Sequence, residues 1–407
     1  MSPTSASWPI DRLKLQRVHS LMKEQDLSAL VCRAPDNILY LTNYWCMKGY
    51  DAVIFPQEGD PVLCVIEPQR ADAERTSWTS TIRLFAGYDE NDPRPPNFRC
   101  VELCVDVLRK NGWTDKVGLE LTQGTQAADR MVGEPTVFSQ TYFDTFRAKM
   151  GQVADATPLL VEARSIKTEQ EIERMRLAND LAADAMDYTR ERMKPGMKES
   201  EVAALFEAYV HGTGVGYRGK VEMARAFTLV WSGKGIATFT ATRDRPIVEH
   251  EPTLFEIWVC VDGYWNDLTK NVCIGELTKE YNQLLDLLLK VFNEAVAYAQ
   301  DGADFPVLDR MIRARIAEGG YPGQPSHPVC HGVGARAHEP PYAHQAGKGT
   351  MREGMVLAIE PGIYWPGGGG LRLEDNFLLK KGGNEKLCRY PDDFRLAGVA
   401  RPTSASQ

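Results

Sequence analysis

Three apolar stretches of this chain carry carboxylates in their middle, and few folds can accommodate that. They are LFEIWVCVDGYWNDLTKN with Glu256, Asp262 and Asp267, MVLAIEPGIY with Glu360, and LRLEDNFLL with Glu374. A strand that turns a Glu inward among Val, Leu and Ile must pair the charge with a cation, an Arg or a metal. Taken singly, each Glu is explained equally well by an ion pair, and Arg372 lies close to Glu374 in sequence. Asp262-Gly263 reads as the turn of a hairpin and is assigned no chemistry. Asp267, eleven residues after Glu256, lies across that hairpin from it and could face the same cavity.

Four of the seven histidines fall within SHPVCHGVGARAHEPPYAH. His331-Gly332-Val333-Gly334 leads to His338-Glu339, the second imidazole seven residues after the first. The glycines let the backbone turn sharply and pass close to a site, and the two rings can face one cavity. One His and four carboxylates on strand-like segments suit hard or borderline divalent ions. Mn, Co or Fe fit such a donor set better than a thiolate-type zinc site. Five such groups in separate apolar segments are hard to explain as five independent ion pairs.

At 407 residues the chain exceeds one ordinary core, which predicts two domains. The first portion alternates helix and strand signals: a helix over Leu13–Gln25, a buried strand over Leu27–Cys32, and two strands within Asp51–Glu67. A helix over Val101–Asn111 and a strand over Lys116–Leu121 complete this α/β portion. The pattern changes near Val161. Helices are expected from the Thr168/Glu171 capping box to Pro195, over Glu199–His211, over Thr278–Ala299 and over Phe305–Glu318. Strands are expected within Val221–Cys273 and Met355–Leu379, so the second portion reads as α+β. The expected boundaries are 1–160 and 161–407.

With 47 Lys and Arg against 55 Asp and Glu, the net charge of −8 leaves no basic footprint for nucleic acid or anionic membrane. Met1–Arg12 holds no signal-peptide core, and no window approaches the ~18 apolar residues of a membrane span. Nine cysteines without a CxxC pair are expected as free, mostly buried thiols in a reducing compartment, so the expected location is cytoplasmic. Tyr40, Tyr44, Trp45 and Tyr50 are expected to serve packing, or a pocket completed across a dimer. Arg243 and Arg245 are expected at the surface, and Gly367–Gly370 as a hairpin connection rather than a phosphate loop.

An acid, an Asp eleven residues on, HGxGxxxHE, xEPGxY and RLED follow one another in this order. The series resembles the metallopeptidases that include methionine aminopeptidase, aminopeptidase P, prolidase and creatinase. Arg164-Ser165-Ile166-Lys167-Thr168 is similar to the entry of that family's catalytic domain, and the match spans Val161–Leu396. The resemblance implies a C-terminal pita-bread domain preceded by a smaller creatinase-type α/β domain, assembled as a homodimer. It implies Glu256, Asp267, His331, Glu360 and Glu374 as ligands of one or two divalent ions, Asp267 and Glu374 bridging. Glu360 would take the proton of an activated water, and His338 would bind the carbonyl or its oxyanion. The implied reaction is metal-dependent hydrolysis of a C–N bond, amide or Xaa-Pro-like, in a small or dipeptide-like substrate.

Two departures stand against the family pattern. Its first ligand is normally Asp, and Glu256 adds a methylene, about 1.5 Å of reach. Where its peptidases carry an upstream histidine, this chain has GIATFTATRDR, with Phe239 and Thr240 near the slot; His250 lies too close to Glu256 to substitute. The alternatives are a metal-dependent lyase acting on a small zwitterion such as dimethylsulfoniopropionate, or a non-catalytic pita-bread binding protein. The lyase pattern expects acids where this chain has Trp258 and a residue near Ala337. A binding protein would have eroded more of the metal positions.

Overall fold

The computed structural model describes residues 8–121, 140–236, 240–365 and 368–397. Phe239 and Gly367 lie outside them. The chain divides into two compact units, Met1–Gln170 and Glu171–Gln407.

The first unit is built on a six-stranded mixed sheet in the order β4-β3-β2-β1-β5-β6. Its strands are β1 (Ala29–Cys32), β2 (Ala52–Pro56), β3 (Val62–Ile66), β4 (Ile82–Phe85), β5 (Lys116–Leu119) and β6 (Gln152–Asp155). The central apolar runs β1, β2 and β3 are buried on both faces, and the two-residue strand period divides their side chains between two cores. Leu30, Val53, Phe55 and Leu63 pack with α1 (Arg12–Glu24), α2 (Pro35–Thr42) and α6 (Thr157–Ser165). Val31, Ile54 and Cys64 pack with α4 (Pro96–Lys110) and α5 (Gln140–Lys149). A short helix, α3 (Arg70–Thr76), links β3 to β4. Tyr40 and Tyr44 are core residues: their hydroxyls donate to the Ala163 carbonyl and to Asp51, each at 2.8 Å.

The second unit starts on α7 (Glu169–Arg192) and α8 (Glu199–Thr213). A sheet in the order β10-β8-β7 follows, from β7 (Ala224–Ser232), β8 (Pro252–Val261) and β10 (Leu268–Cys273), with β9 (Tyr264–Trp265) paired to β8. Asp262 and Gly263 take φ of +45° and +84°, the left-handed pair that a two-residue hairpin requires. The Asp262 carboxylate accepts from the backbone N–H groups of Glu222 and Met223. Then come α9 (Lys279–Tyr298), its N-terminus capped by Thr278, and α10 (Phe305–Glu318).

A second sheet runs β12-β11-β13-β16-β17, from β11 (Cys330–Gly332), β12 (Glu339–Tyr342), β13 (Val356–Ile359), β16 (Asp375–Lys380) and β17 (Gly383–Lys386). The hairpin of β14 (Gly362–Trp365) and β15 (Gly369–Arg372) stands between β13 and β16, and Gly369 and Gly370 belong to its second strand. The two larger sheets touch at a bridge between Thr269 and Glu374. Arg245 pairs its guanidinium with the buried Glu199 and is a structural residue. All nine cysteines are free, eight of them buried. Among the described residues, no helix is long and apolar enough to cross a membrane.

Behind the bridge lies a buried charge network. Lys270 Nζ donates to the Glu374 carbonyl at 3.0 Å, to Asp375 at 2.6 Å and to Asp392 at 2.9 Å. Burial pulls the Lys270 pKa down, and the two carboxylates more than reverse this, leaving it above its ordinary value. Lys386 faces the same two acids. Removing one member strands buried charge, which costs about 3–5 kcal/mol. Lys270→Met is therefore expected to lower the unfolding free energy of this unit by about that amount, read by urea titration. Asp375→Asn in the same chain should recover part of the loss.

Candidate metal centre

Strand register assembles the site. Glu256 on β8 pairs with Leu229 on β7 and with Thr269 on β10. Directly opposed residues share a sheet face, and so do residues two apart. Glu256, Trp258, Asp267 and Thr269 therefore project to one side. His331 lies on β11, Glu360 directly after β13, and Glu374 between β15 and β16, at the bridge to Thr269. Gly332 is required where it stands: a Cβ there would come within 2.6 Å of the Pro340 carbonyl oxygen.

All six residues singled out for ligation or catalysis converge here. Three overlapping groups each offer ligand atoms within 4.8 Å of one another: Asp267, His331 and His338; His331, Glu360 and Glu374; Glu256, Asp267 and Glu374. His331 Nε2 lies 3.6 Å from Asp267 and 3.4 Å from Glu360, and its ring stacks on His338 at 4.5 Å. His338 Nε2 is 3.3 Å from Asp267.

The electrostatics are those of an anion cage. Burial first, then the Glu374 and Glu360 carboxylates, push Asp267 well above the usual carboxylate range, opposed by the Trp258 indole N–H. Burial and Glu374 do the same to Glu360. Burial drives His331 down to about 4, so its imidazole is neutral near pH 7. His331 Nδ1 lies 2.9 Å from the Gly332 carbonyl. A proton on Nδ1 satisfies that contact and leaves the Nε2 lone pair facing the acids, the tautomer a metal ligand needs. Both oxygens of Asp267 and Nε2 of His331 are buried without a hydrogen-bond partner. Buried acceptors gathered on one point, with only a neutral indole N–H to offset their charge, fit a hard or borderline divalent cation.

Arg372 resolves the choice between ion pair and ligand differently for each acid. Its Nη2 is ion-paired with Glu256, its Nε donates to Thr269 at 2.5 Å, and Nε lies 3.7 Å from Glu374. Thr269 in turn donates to Glu374 at 2.7 Å. Glu256 is thus engaged by a protein cation, whereas among the described residues no Lys or Arg pairs with Asp267 or Glu360. Two participants were not legible beforehand. His327 stood out only as one of four clustered histidines, yet its Nδ1 is 3.3 Å from Glu360 and its Nε2 3.1 Å from the Tyr364 hydroxyl. Its four-residue spacing from His331 was the available signal. Thr269 could have been found by counting across the hairpin from Glu256. His250 is exposed and packs its ring nitrogen on the Glu276 carbonyl, away from this cluster.

Residues 173–381 match metallopeptidase family M24, and residues 14–166 match the creatinase/prolidase N-terminal domain. An uncharacterized peptidase of Staphylococcus saprophyticus is 30% identical over 93% of this chain and 99% of its own length. An Xaa-Pro dipeptidase of Pyrococcus horikoshii is 30% identical over 60% of this chain and 68% of its own. The solved X-Pro aminopeptidase of Thermotoga maritima superposes with a TM-score of 0.78 at 22% identity, covering 93% of this chain and 98% of that one.

Neutralising such a cage should stabilise the unit that carries it. At an ion concentration of roughly 100 times Kd, metal-free protein is expected to gain about 2.7 kcal/mol, a rise of about 5–10 °C in Tm. Thermal unfolding with and without Mn²⁺ or Co²⁺ measures this, and Glu374→Ala should abolish the rise.

Proposed function

The chain belongs to metallopeptidase family M24 and is a metal-dependent peptide hydrolase, and from that premise we propose that it cleaves the C–N bond of small dipeptide-like substrates, Xaa-Pro among them. The observation that carries this reading is the buried Asp267 carboxylate facing the free Nε2 lone pair of His331 at 3.6 Å among further acids. Asp267, His331, Glu360 and Glu374 would hold one ion tightly, Mn, Co or Fe. Glu256, held by Arg372, contributes to a second and weaker position.

A divalent cation bound there supplies Lewis acidity, which acidifies water and polarises a carbonyl. The protein's part is proton handling and orientation. Glu360 accepts the proton of the attacking water and returns it to the leaving amine. His327 stands 3.3 Å from that carboxylate, its ring fixed by the Pro328 carbonyl at Nδ1 and the Tyr364 hydroxyl at Nε2. His338, with its side chain 32% exposed at the edge of the cluster, donates a ring N–H to the carbonyl oxygen as negative charge develops. Elimination on a small zwitterion would need a base beside the cluster, and the indole of Trp258 stands in that place.

The test is amino-acid release from a panel of Xaa-Pro and other dipeptides by the Mn²⁺- or Co²⁺-loaded enzyme. Glu360→Gln should lower kcat by roughly 10²–10⁴-fold, the usual worth of a general base. Chelation should abolish turnover, and ion addition restore it. Release of an alkene, or no turnover on any amide, would refute the assignment.

A further inference from the structure

The face that carries Glu256 continues into an aromatic wall that neither metal binding nor proton transfer uses. Along β7 and β8 that face presents three rungs: Trp231 with Leu254, Leu229 with Glu256, and Phe227 with Trp258. The first rung is closed, packed with Ile236 in a buried cluster against which Leu229 and Tyr364 rest. The last is half-buried. Its two rings stack with centroids 5.5 Å apart and planes 19° from parallel. The Trp258 ring also lies 6.1 Å from that of His338. Trp258 thus presents its indole N–H edge to Asp267 and its face to Phe227.

We infer that Phe227 and Trp258 form the subsite for the substrate side chain next to the scissile carbonyl, and that it selects a large, uncharged, apolar or aromatic group. The inference rests on the hydrolase reading above, which puts the carbonyl at His338. A side chain leaving that carbonyl toward the open end of the ladder meets the aromatic rung first. Stacked rings bury flat apolar surface and favour a third ring at offset or edge-on geometry. A cationic side chain is disfavoured because Arg225 occupies the next position on the same face and is exposed there. Small side chains such as glycine leave the wall in contact with water and gain nothing from it.

The experiment compares kcat/KM of the metal-loaded enzyme on Phe-Pro, Lys-Pro and Gly-Pro, in wild type, Phe227→Leu, Phe227→Ala and Trp258→Leu. Metal content and circular dichroism of each variant check that it folds and loads. Wild type is expected to prefer Phe-Pro over Gly-Pro by about 10-fold or more, the range a well-filled apolar pocket provides, with Lys-Pro well below Phe-Pro. The variants should bring the Phe/Gly ratio within roughly threefold of unity. A wild-type ratio near one, or a preference that survives both Phe227 variants, would overturn the subsite and leave the hydrolase assignment standing. If no dipeptide is cleaved, the hydrolase assignment fails. The wall is then judged by calorimetric binding of phenylalaninamide against glycinamide: tighter binding of the former, lost in Phe227→Leu, sustains it, and equal binding overturns it.

Discussion

Crowding carboxylates in a buried place is the constraint on which the catalytic half of this protein depends. Two charges a few ångströms apart repel by several kcal/mol at an effective dielectric of about 20, and burial adds a desolvation penalty for each. Glu256, Asp267, Glu360 and Glu374 all bear that cost, and Asp267 and Glu360 respond with strongly raised pKa values. The cation supply within the protein is uneven. Arg372 serves Glu256 and approaches Glu374 from the same side. Lys270 and Lys386 serve Asp375 and Asp392, one layer further back. Around Asp267 stand the neutral His331, His338, the Trp258 indole and other acids, and among the described residues no Lys or Arg pairs with it. An external divalent ion would complete the balance, and the fold supplies the anions that could hold it.

Three devices keep the cage open. The Thr269–Glu374 bridge ties the two larger sheets together at the site itself, so the ligands of one sheet cannot drift from those of the other. Beneath it, Lys270 holds both the backbone carbonyl of Glu374 and the side chain of Asp375. Hydrogen bonding of His331 to its neighbour's carbonyl sets a tautomer as well as an orientation. Each device restrains a ligand through backbone or supporting contacts, which is how preorganised metal sites are generally held.

Much of this was legible in the sequence, for reasons that differ by element. Acids inside apolar runs announce themselves because burying a charge is expensive, and Glu256, Glu360 and Glu374 were found on that ground. The Asp262-Gly263 hairpin follows from turn chemistry, and the bounds expected for α10, Phe305–Glu318, are those of the structure. Family resemblance, rather than spacing, supplied the division of roles between His331 and His338. What stayed hidden was tertiary. Short elements such as α2, α3, α6 and β6 carry too few periods to stand out from loops. The partnership of Arg372 with Glu256 joins residues 116 apart, and nothing local encodes it. His327 and Tyr364 likewise meet only when β14 folds back beside the strand after α10. Arg245 is at the surface as expected, but the buried acid it pairs with, Glu199, lies at the start of a distant helix.

The claim that the buried acids exist to hold a divalent ion is tested most directly by counting that ion. Protein loaded with Mn²⁺ or Co²⁺, desalted to remove weakly held metal and submitted to elemental analysis, should retain close to one ion per chain. Asp267→Asn should retain much less. Wild-type protein that keeps no metal after loading would contradict the account. The cage would then have to be held apart by protein cations alone.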